Sequence, residues 1–303
     1  MERIIIDTDI GDDIDDAFAI AFACNSPELK LEGITTVFRN AVARAKMAKI
    51  LLESYGKEDI PVYAGVDTPL IQAYMNRDND RFDEAGNLIP CQYQKDIMEK
   101  YSYEKEWAPD FIINKVRENP HEIILIPIGP LTNIAMAIRK APDIVPLIKK
   151  IVLMGGFVHQ EVPEWNILCD PEAAYIVYNS GANIQAVGLD VTLQCKLTLD
   201  KVKEFEKLSG KGSKILSEMM KSWFAHYQFE CPVLHDPLTV GCVIDSSFVK
   251  CKKYNVEVGL VGKDRGRTII VPKETSNSAQ INVAEEVDAE RYLAFFQERV
   301  FIK

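Results

Sequence analysis

No apolar run in the 303-residue sequence approaches the roughly 18–20 residues needed to span a bilayer, so no membrane-spanning helix is expected. Nor is a signal peptide expected. The chain opens MERIIIDTD and enters a strand-like segment at once, without a basic region or a cleavage site, and a cytoplasmic location is expected. Basic charge is also short: 35 Lys and Arg against 45 Asp and Glu leave a net −10, with the two signs interspersed. A nucleic-acid partner would need a basic face, and none is evident. Cysteine is sparse and unpatterned. Cys24, Cys91, Cys169, Cys195, Cys231, Cys242 and Cys251 are odd in number and form no CxxC pair, which argues against a disulfide framework or a zinc site. Internal repeats, low-complexity tracts and linkers are missing too, so the expectation is one domain over residues 1–303.

What is present is an ordinary globular composition, 47% hydrophobic and 26% charged, long enough to bury a large core. Apolar runs at 3–7, 31–38, 60–65, 122–129, 150–156 and 184–190 read as strands, several of them apolar at nearly every position. Such runs suit strands covered on both faces. Segments 41–55, 130–140 and 171–181 read as helices between them. Alternation of this kind implies an α/β fold with a mostly parallel, Rossmann-like sheet flanked by helices, and ligands beyond the carboxyl ends of the strands. Later, 254–261 and 267–271, joined by GKDRG, read as a small antiparallel hairpin, and 284–300 as a closing helix. The polar stretch 73–90 reads as a long loop or flap.

The densest feature is DTDIGDDIDDA, with Asp7, Asp9, Asp12, Asp13, Asp15 and Asp16 inside ten residues directly after the first strand. Asp12 and Asp13 fall where the next helix is expected to begin, and carboxylates suit a helix start. With the helix beginning near Asp12, Asp16 lies one turn on and nearly on the same face. Several carboxylates converging at a strand–helix junction form a ligand set for a hard divalent cation, with no Cys or His nearby to offer softer ligation. Three further segments carry candidate groups. HDPLT (235–239) places His235 and Asp236 before a short apolar helix, where Asp236 taken alone reads as a helix cap. PEWNILCDPEAA (163–174) puts Glu164, Trp165 and Asn166 in one loop after a strand-ending MGG. GPLTN (129–133) opens a helix with a Pro-bearing turn.

In order, DTDIGDDIDDA, TTVFRN, IPVYAG, GPLTN, MGG, EWNILCDPEAA and HDPLT resemble the nucleoside N-ribohydrolases of the inosine–uridine-preferring type, from residue 4 to about 270. The resemblance implies one α/β domain, assembled as homodimers or homotetramers, that hydrolyses the N-glycosidic bond of small ribonucleosides. It also implies a Ca²⁺ ion at the sheet's carboxyl edge, holding a water and the ribose diol. Carried over residue by residue, Asp9 resembles the general base that also touches calcium, and Asp16 the main calcium ligand. Thr132 would lend its backbone carbonyl and Asp236 would complete the shell. Asp15, Glu164 and Asn166 resemble the groups that hold the ribose hydroxyls, with Trp165 in the family's aromatic position. Asn40, ending TTVFRN, resembles an active-site asparagine near the water and sugar. His235 resembles the residue that assists the departing base, with His226 and Tyr227 as weaker alternatives.

The chain departs from the family's shorter pattern in several places. The aspartate motif has two extra residues, which leaves Asp13 as an additional candidate ligand, and Ile10 replaces the usual proline. The loop FVHQEVP lacks the asparagine that contacts the 5′-hydroxyl, and RFDEAGNLIP stands where HGxxGL would supply a base-side histidine. Nucleobase preference is therefore open. Two other classes share part of the pattern. DTD followed by IG resembles the start of a haloacid-dehalogenase-like Mg²⁺ phosphatase, with Asp7 as nucleophile, and a non-catalytic nucleoside- or calcium-binding module would keep the same pocket. DDIDD also matches the DDxxD of prenyl-diphosphate synthases, but those chains are all-helical and this motif follows a strand.

Overall fold

Strand β1 (Glu2–Thr8) sets the architecture, since Ile4, Ile5 and Ile6 are all buried. Alternation sends Ile4 and Ile6 into one apolar cluster and Ile5 into another on the opposite face. A strand buried on both faces belongs in the middle of a helix-covered parallel sheet. This computed structural model describes residues 1–77, 79–273 and 280–302.

The strands are β1, β2 (Leu29–Thr36), β3 (Val62–Ala64), β4 (Arg81–Phe82), β5 (Leu88–Ile89), β6 (Ile123–Pro127), β7 (Lys150–Met154), β8 (Ile184–Val187), β9 (Val249–Val258), β10 (Thr268–Val271) and β11 (Gln280–Val287). Nine form one sheet in the order β10-β9-β11-β8-β7-β6-β1-β2-β3. Pairing is parallel from β3 across to β11, and antiparallel where β9 meets β11 and β10. The chain runs outward from β1 through β2 and β3, then returns to β6 on the other flank of β1. The order reverses between β1 and β6. A crevice opens beyond the carboxyl ends at such a switch point.

The expected strands, the three helices and the hairpin of β9 with β10 are all present. Three expectations are corrected. Segment 284–300 is not one helix: Ala284–Val287 completes β11 beside β9, and Asp288 then caps the helix Ala289–Val300 by accepting from Arg291 N at 3.2 Å. The helix after β1 begins at Asp15 rather than near Asp12. Glu164, Trp165 and Asn166 do not share a loop, for Glu164 caps a short helix, Trp165–Cys169. The flap at 73–90 carries the two-stranded ribbon β4–β5, apart from the main sheet.

Helix Asp15–Cys24 is almost wholly buried. Phe18 meets Phe205 and Phe296 edge-on at centroid distances of 5.6 and 5.8 Å, and Phe22 meets Phe296 at 5.4 Å. Aromatic pairs of this geometry add about 0.5–1.5 kcal/mol each to their area burial. They fix the helix, and with it the first turn that carries Asp15 and Asp16.

Candidate active site

The aspartate loop sits over a buried cation. Arg44, on helix Ala41–Ser54, is fully buried. Its guanidinium donates to the carbonyls of Phe38 (2.6 Å), Asp9 and Ile10 (2.9 Å), and to Asp12 Oδ2 (2.9 Å). Burial alone would raise the Asp12 carboxyl, but Arg44 outweighs it and holds Asp12 below the usual carboxylate range. Gln92 secures the same loop, its amide donating to the carbonyls of Asp12 (3.3 Å) and Asp13 (2.6 Å). Asp13 Oδ1 accepts from Ile14 N at 2.7 Å. Asp12 and Asp13 thus shape the turn before the helix and are not its first turn.

Two more expectations separate here. Asp7 is buried, with Oδ1 accepting from Thr35 (2.6 Å) and Asn133 (2.7 Å). Burial pushes its carboxyl up to about 7 against those two bonds. It does not line the cleft, so it cannot be the nucleophile of a phosphatase. Asn40 also stands outside the cleft. Its Oδ1 accepts from Ala43 N at 3.1 Å as a helix cap, and its Nδ2 donates to Leu88 O at 2.7 Å, tying the flap down. Phe38, Arg39 and Asn40 all take left-handed backbone (φ 68°, 44° and 75°). Strain of this kind, about 1–3 kcal/mol per residue, persists where the surroundings over-determine it, as Arg44 does for the Phe38 carbonyl.

Asp9, Asp15, Asp16 and Asp236 line a single cleft beyond β1 and β6, and so do Glu164, Trp165, Asn166 and His235. Asp15, Asp16 and Asp236 are 3–4% exposed, and one oxygen from each lies within 4.8 Å of the others. Asp16 Oδ1 accepts from Thr8 Oγ1 at 2.5 Å, and Asp15 Oδ2 from Asp236 N at 3.1 Å. Burial first, and then repulsion from neighbouring carboxylates (Asp13 foremost for Asp15, Asp9 for Asp16, Asp15 for Asp236), drive all three carboxyls well above their ordinary range. At about 4 Å and an effective dielectric of 20, each like-charge pair costs about 4 kcal/mol. Three such pairs rival the whole stability of a domain. The donor set is all oxygen, buried and overcharged, and it fits a hard divalent cation.

Asp9 follows directly on β1 and packs against the GPLTN turn. Burial pushes its carboxyl up to about 6, opposed by Arg44. A Cβ on Gly129 would stand 2.6 Å from Asp9 Oδ1 and 2.9 Å from Asp9 N, so only glycine lets the carboxylate sit there. Gly129→Ala is expected to displace Asp9 and lower kcat at least about tenfold, in line with the cost of misplacing a catalytic group by an ångström. A melting curve run alongside separates this from unfolding; unchanged kcat would refute the fit. Thr132 begins the next helix and is buried outside the cleft lining, its hydroxyl donating to Asp170 Oδ2 at 2.7 Å.

Glu164 caps its helix with three accepted bonds, from Asn166 N (2.9 Å), Ile167 N (3.1 Å) and Gly156 N (3.2 Å), yet burial still lifts its carboxyl to about 7. Asn166 Nδ2 donates to Ile128 O (2.9 Å) and Met154 O (3.3 Å), fixing the amide at the ends of β6 and β7. His235 Nδ1 lies 2.7 Å from Thr192 Oγ1, and burial lowers the ring to about 4, so it is neutral at pH 7. His226 and Tyr227 are not in the lining. Arg77, which sequence reasoning did not single out, is.

A mostly parallel sheet with a carboxylate-walled cleft at its switch point, its oxygen donors suited to a divalent cation, is where an α/β protein of this kind binds its ligand. The sequence profile of the inosine-uridine preferring nucleoside hydrolases matches residues 4–294, and the chain belongs to that family. It is therefore a glycosidase of N-glycosyl bonds that hydrolyses ribonucleosides to base and ribose. It is 34% identical over 275 residues to the inosine-uridine preferring nucleoside hydrolase of Crithidia fasciculata, covering 86% of this chain and 85% of that one. It is likewise 34% identical to uridine nucleosidase 1 of Arabidopsis thaliana, covering 99% and 93%. Among solved structures, the purine-preferring ribonucleoside hydrolase of Gardnerella vaginalis superposes with a TM-score of 0.85 at 32% identity, covering 99% and 98%.

Proposed function

We propose that this enzyme is calcium-dependent, with Asp9 as the general base and Asp15, Asp16 and Asp236 as the core of the cation site. The observation that carries this is the buried, mutually repelling trio of carboxylates beside Asp9. A dication bound there supplies Lewis acidity toward a water and the ribose 2′- and 3′-hydroxyls. Asp16 and Asp236 would hold the ion, with Asp9 and the Thr132 carbonyl as further ligands and Asp13 as an outer candidate. Asp9 takes the proton of the attacking water. Asp15, Glu164 and Asn166 orient the ribose diol, so deoxyribose is a poor substrate, and Trp165 packs beside the sugar. The anionic wall favours the positive charge that grows on the ribose as the glycosidic bond breaks. His235, neutral and held by Thr192, can meet the departing base with a hydrogen bond rather than a charge. Asn40 acts at one remove, by holding helix and flap.

The family resemblance supports a homodimer or homotetramer, and seven free cysteines support a reducing, cytoplasmic setting. Among the described residues no helix is long and apolar enough to cross a membrane.

The test is free ribose from a panel of purine and pyrimidine ribonucleosides, with and without EGTA, alongside p-nitrophenyl phosphate. Ribose release that EGTA abolishes and Ca²⁺ restores is expected. Release unaffected by EGTA would refute the cation, and phosphate release instead would refute the reaction. Calcium should also stabilise the fold. At 100 times Kd the linkage is about 2.7 kcal/mol. Melting scans should then show a rise of roughly 5 °C that scales with the logarithm of free Ca²⁺; a flat response would count against the site.

A further inference from the structure

Arg77 is the cleft cation that the proposed chemistry leaves unused. It comes from the 73–90 flap, and Asp80 Oδ2 accepts its backbone N–H at 2.6 Å. Asp80 is in turn ion-paired with the buried Arg39, so the backbone beneath Arg77 is fixed. The guanidinium lies 4.0 Å from the Trp165 ring centroid and 5.6 Å from that of Tyr227, and donates to Tyr227 Oη at 2.7 Å. A guanidinium has five N–H donors. Among the described residues no carboxylate lies within ion-pairing distance of it, although carboxylates line the same cleft. A half-buried cation held between two rings in the lining of a cleft, its guanidinium making one hydrogen bond among the described residues, is suited to an acceptor brought in from outside.

We infer that Arg77 is a second nucleobase-contacting residue beside His235, donating to ring carbonyl oxygens of the base and balancing the negative charge that the base gains as it leaves. The inference rests on the ribohydrolase reading above. When the C1′–N bond breaks, its electron pair passes to the base and spreads onto the ring carbonyls. The water oxygen bonds to C1′ and its proton goes to Asp9. The base takes up a proton afterwards, from Asp9 or from solvent, so atoms and charge balance. Arg77 gives up no proton, since a guanidinium stays charged in proteins. It acts as a fixed donor aimed where charge develops, the same logic as an oxyanion hole. This also accounts for a flap without a base-side histidine motif: RFDEAGNLIP follows Arg77 within the same segment.

The test compares Arg77→Ala and Arg77→Lys with wild type on uridine, inosine and p-nitrophenyl riboside, whose leaving group needs little stabilisation. Removing a donor of this kind costs about 10²–10³ in kcat. Arg77→Ala should lose about that much on the nucleoside the wild type uses best, and at least about tenfold less on p-nitrophenyl riboside. Millimolar guanidinium should restore part of the nucleoside activity of Arg77→Ala, and lysine, which lacks the planar fork, should rescue incompletely. Equal losses on both substrates without guanidinium rescue would overturn the inference and leave Arg77 as a brace for Trp165 and Tyr227. The calcium-induced rise in melting temperature, kept in Arg77→Ala, shows that the variant is folded. A wild type that releases no ribose from any substrate would sink the hydrolase reading instead, and this inference with it.

Discussion

Asp9→Ala is expected to lower kcat on the preferred ribonucleoside by about 10²–10⁴, the span a positioned general base contributes. Folding should hardly suffer. Asp9 is a carboxylate 8% exposed whose charge is disfavoured by burial and by Asp12, and whose charge in turn raises Asp15, Asp16 and Asp236. Deleting it removes one member of a repelling set. Without calcium, the melting temperature should therefore hold or rise, while turnover collapses. That opposition separates a catalytic carboxylate from a structural one. Steady-state kinetics and a melting scan on the same preparation decide it, and activity within tenfold of wild type would remove Asp9 from the chemistry.

Arg44→Met should do the reverse and strike stability first. The methionine keeps much of the buried volume but strips donors from the carbonyls of Phe38, Asp9 and Ile10, and leaves Asp12 without its counter-ion. Breaking one side of a buried pair costs about 3–5 kcal/mol, because the remaining charge stays buried and uncompensated. Unsatisfied carbonyls add to this. Urea unfolding should show a midpoint far below wild type, and activity should fall as the aspartate loop loses its floor. A stability loss within about 1 kcal/mol would mean that the loop is held chiefly by Gln92 and the helix behind it.

Most of the sheet could be read from the sequence because its strands are covered on both faces. Runs such as EIILIPIG have no other sensible home in a chain of this length. The aspartate cluster was legible for the same physical reason in reverse, since so many carboxylates together demand a cation. What could not be read is set by long-range contacts. Arg44 lies in AVARAKMAKILLESY together with Lys46, Lys49 and Glu53, where it looks like one more solvent-facing charge. Only the fold turns it inward beneath a loop some thirty residues earlier in the chain. Arg77 lies in a polar stretch with no periodicity to place it, and its neighbours Trp165 and Tyr227 come from distant segments. The helix start slipped from Asp12 to Asp15 because Asp12 answers Arg44 rather than the helix dipole. Residues 284–287 were absorbed into a helix because Ala, Glu and Glu favour one. Pairing with β9 overrides that preference at Ala284, Glu286 and Val287.

The cation-fitting trio joins residue 16 to residue 236, helices that pack against each other although about 220 residues of chain intervene (236 − 16). A dication held there would be a removable cross-link between two segments far apart along the polypeptide. Cross-links that close long loops restrict the unfolded chain most, since closure entropy grows with loop length. Loading the ion would then fasten the chain's opening helix to its closing third, and one carboxylate set would serve both as reaction floor and as clasp.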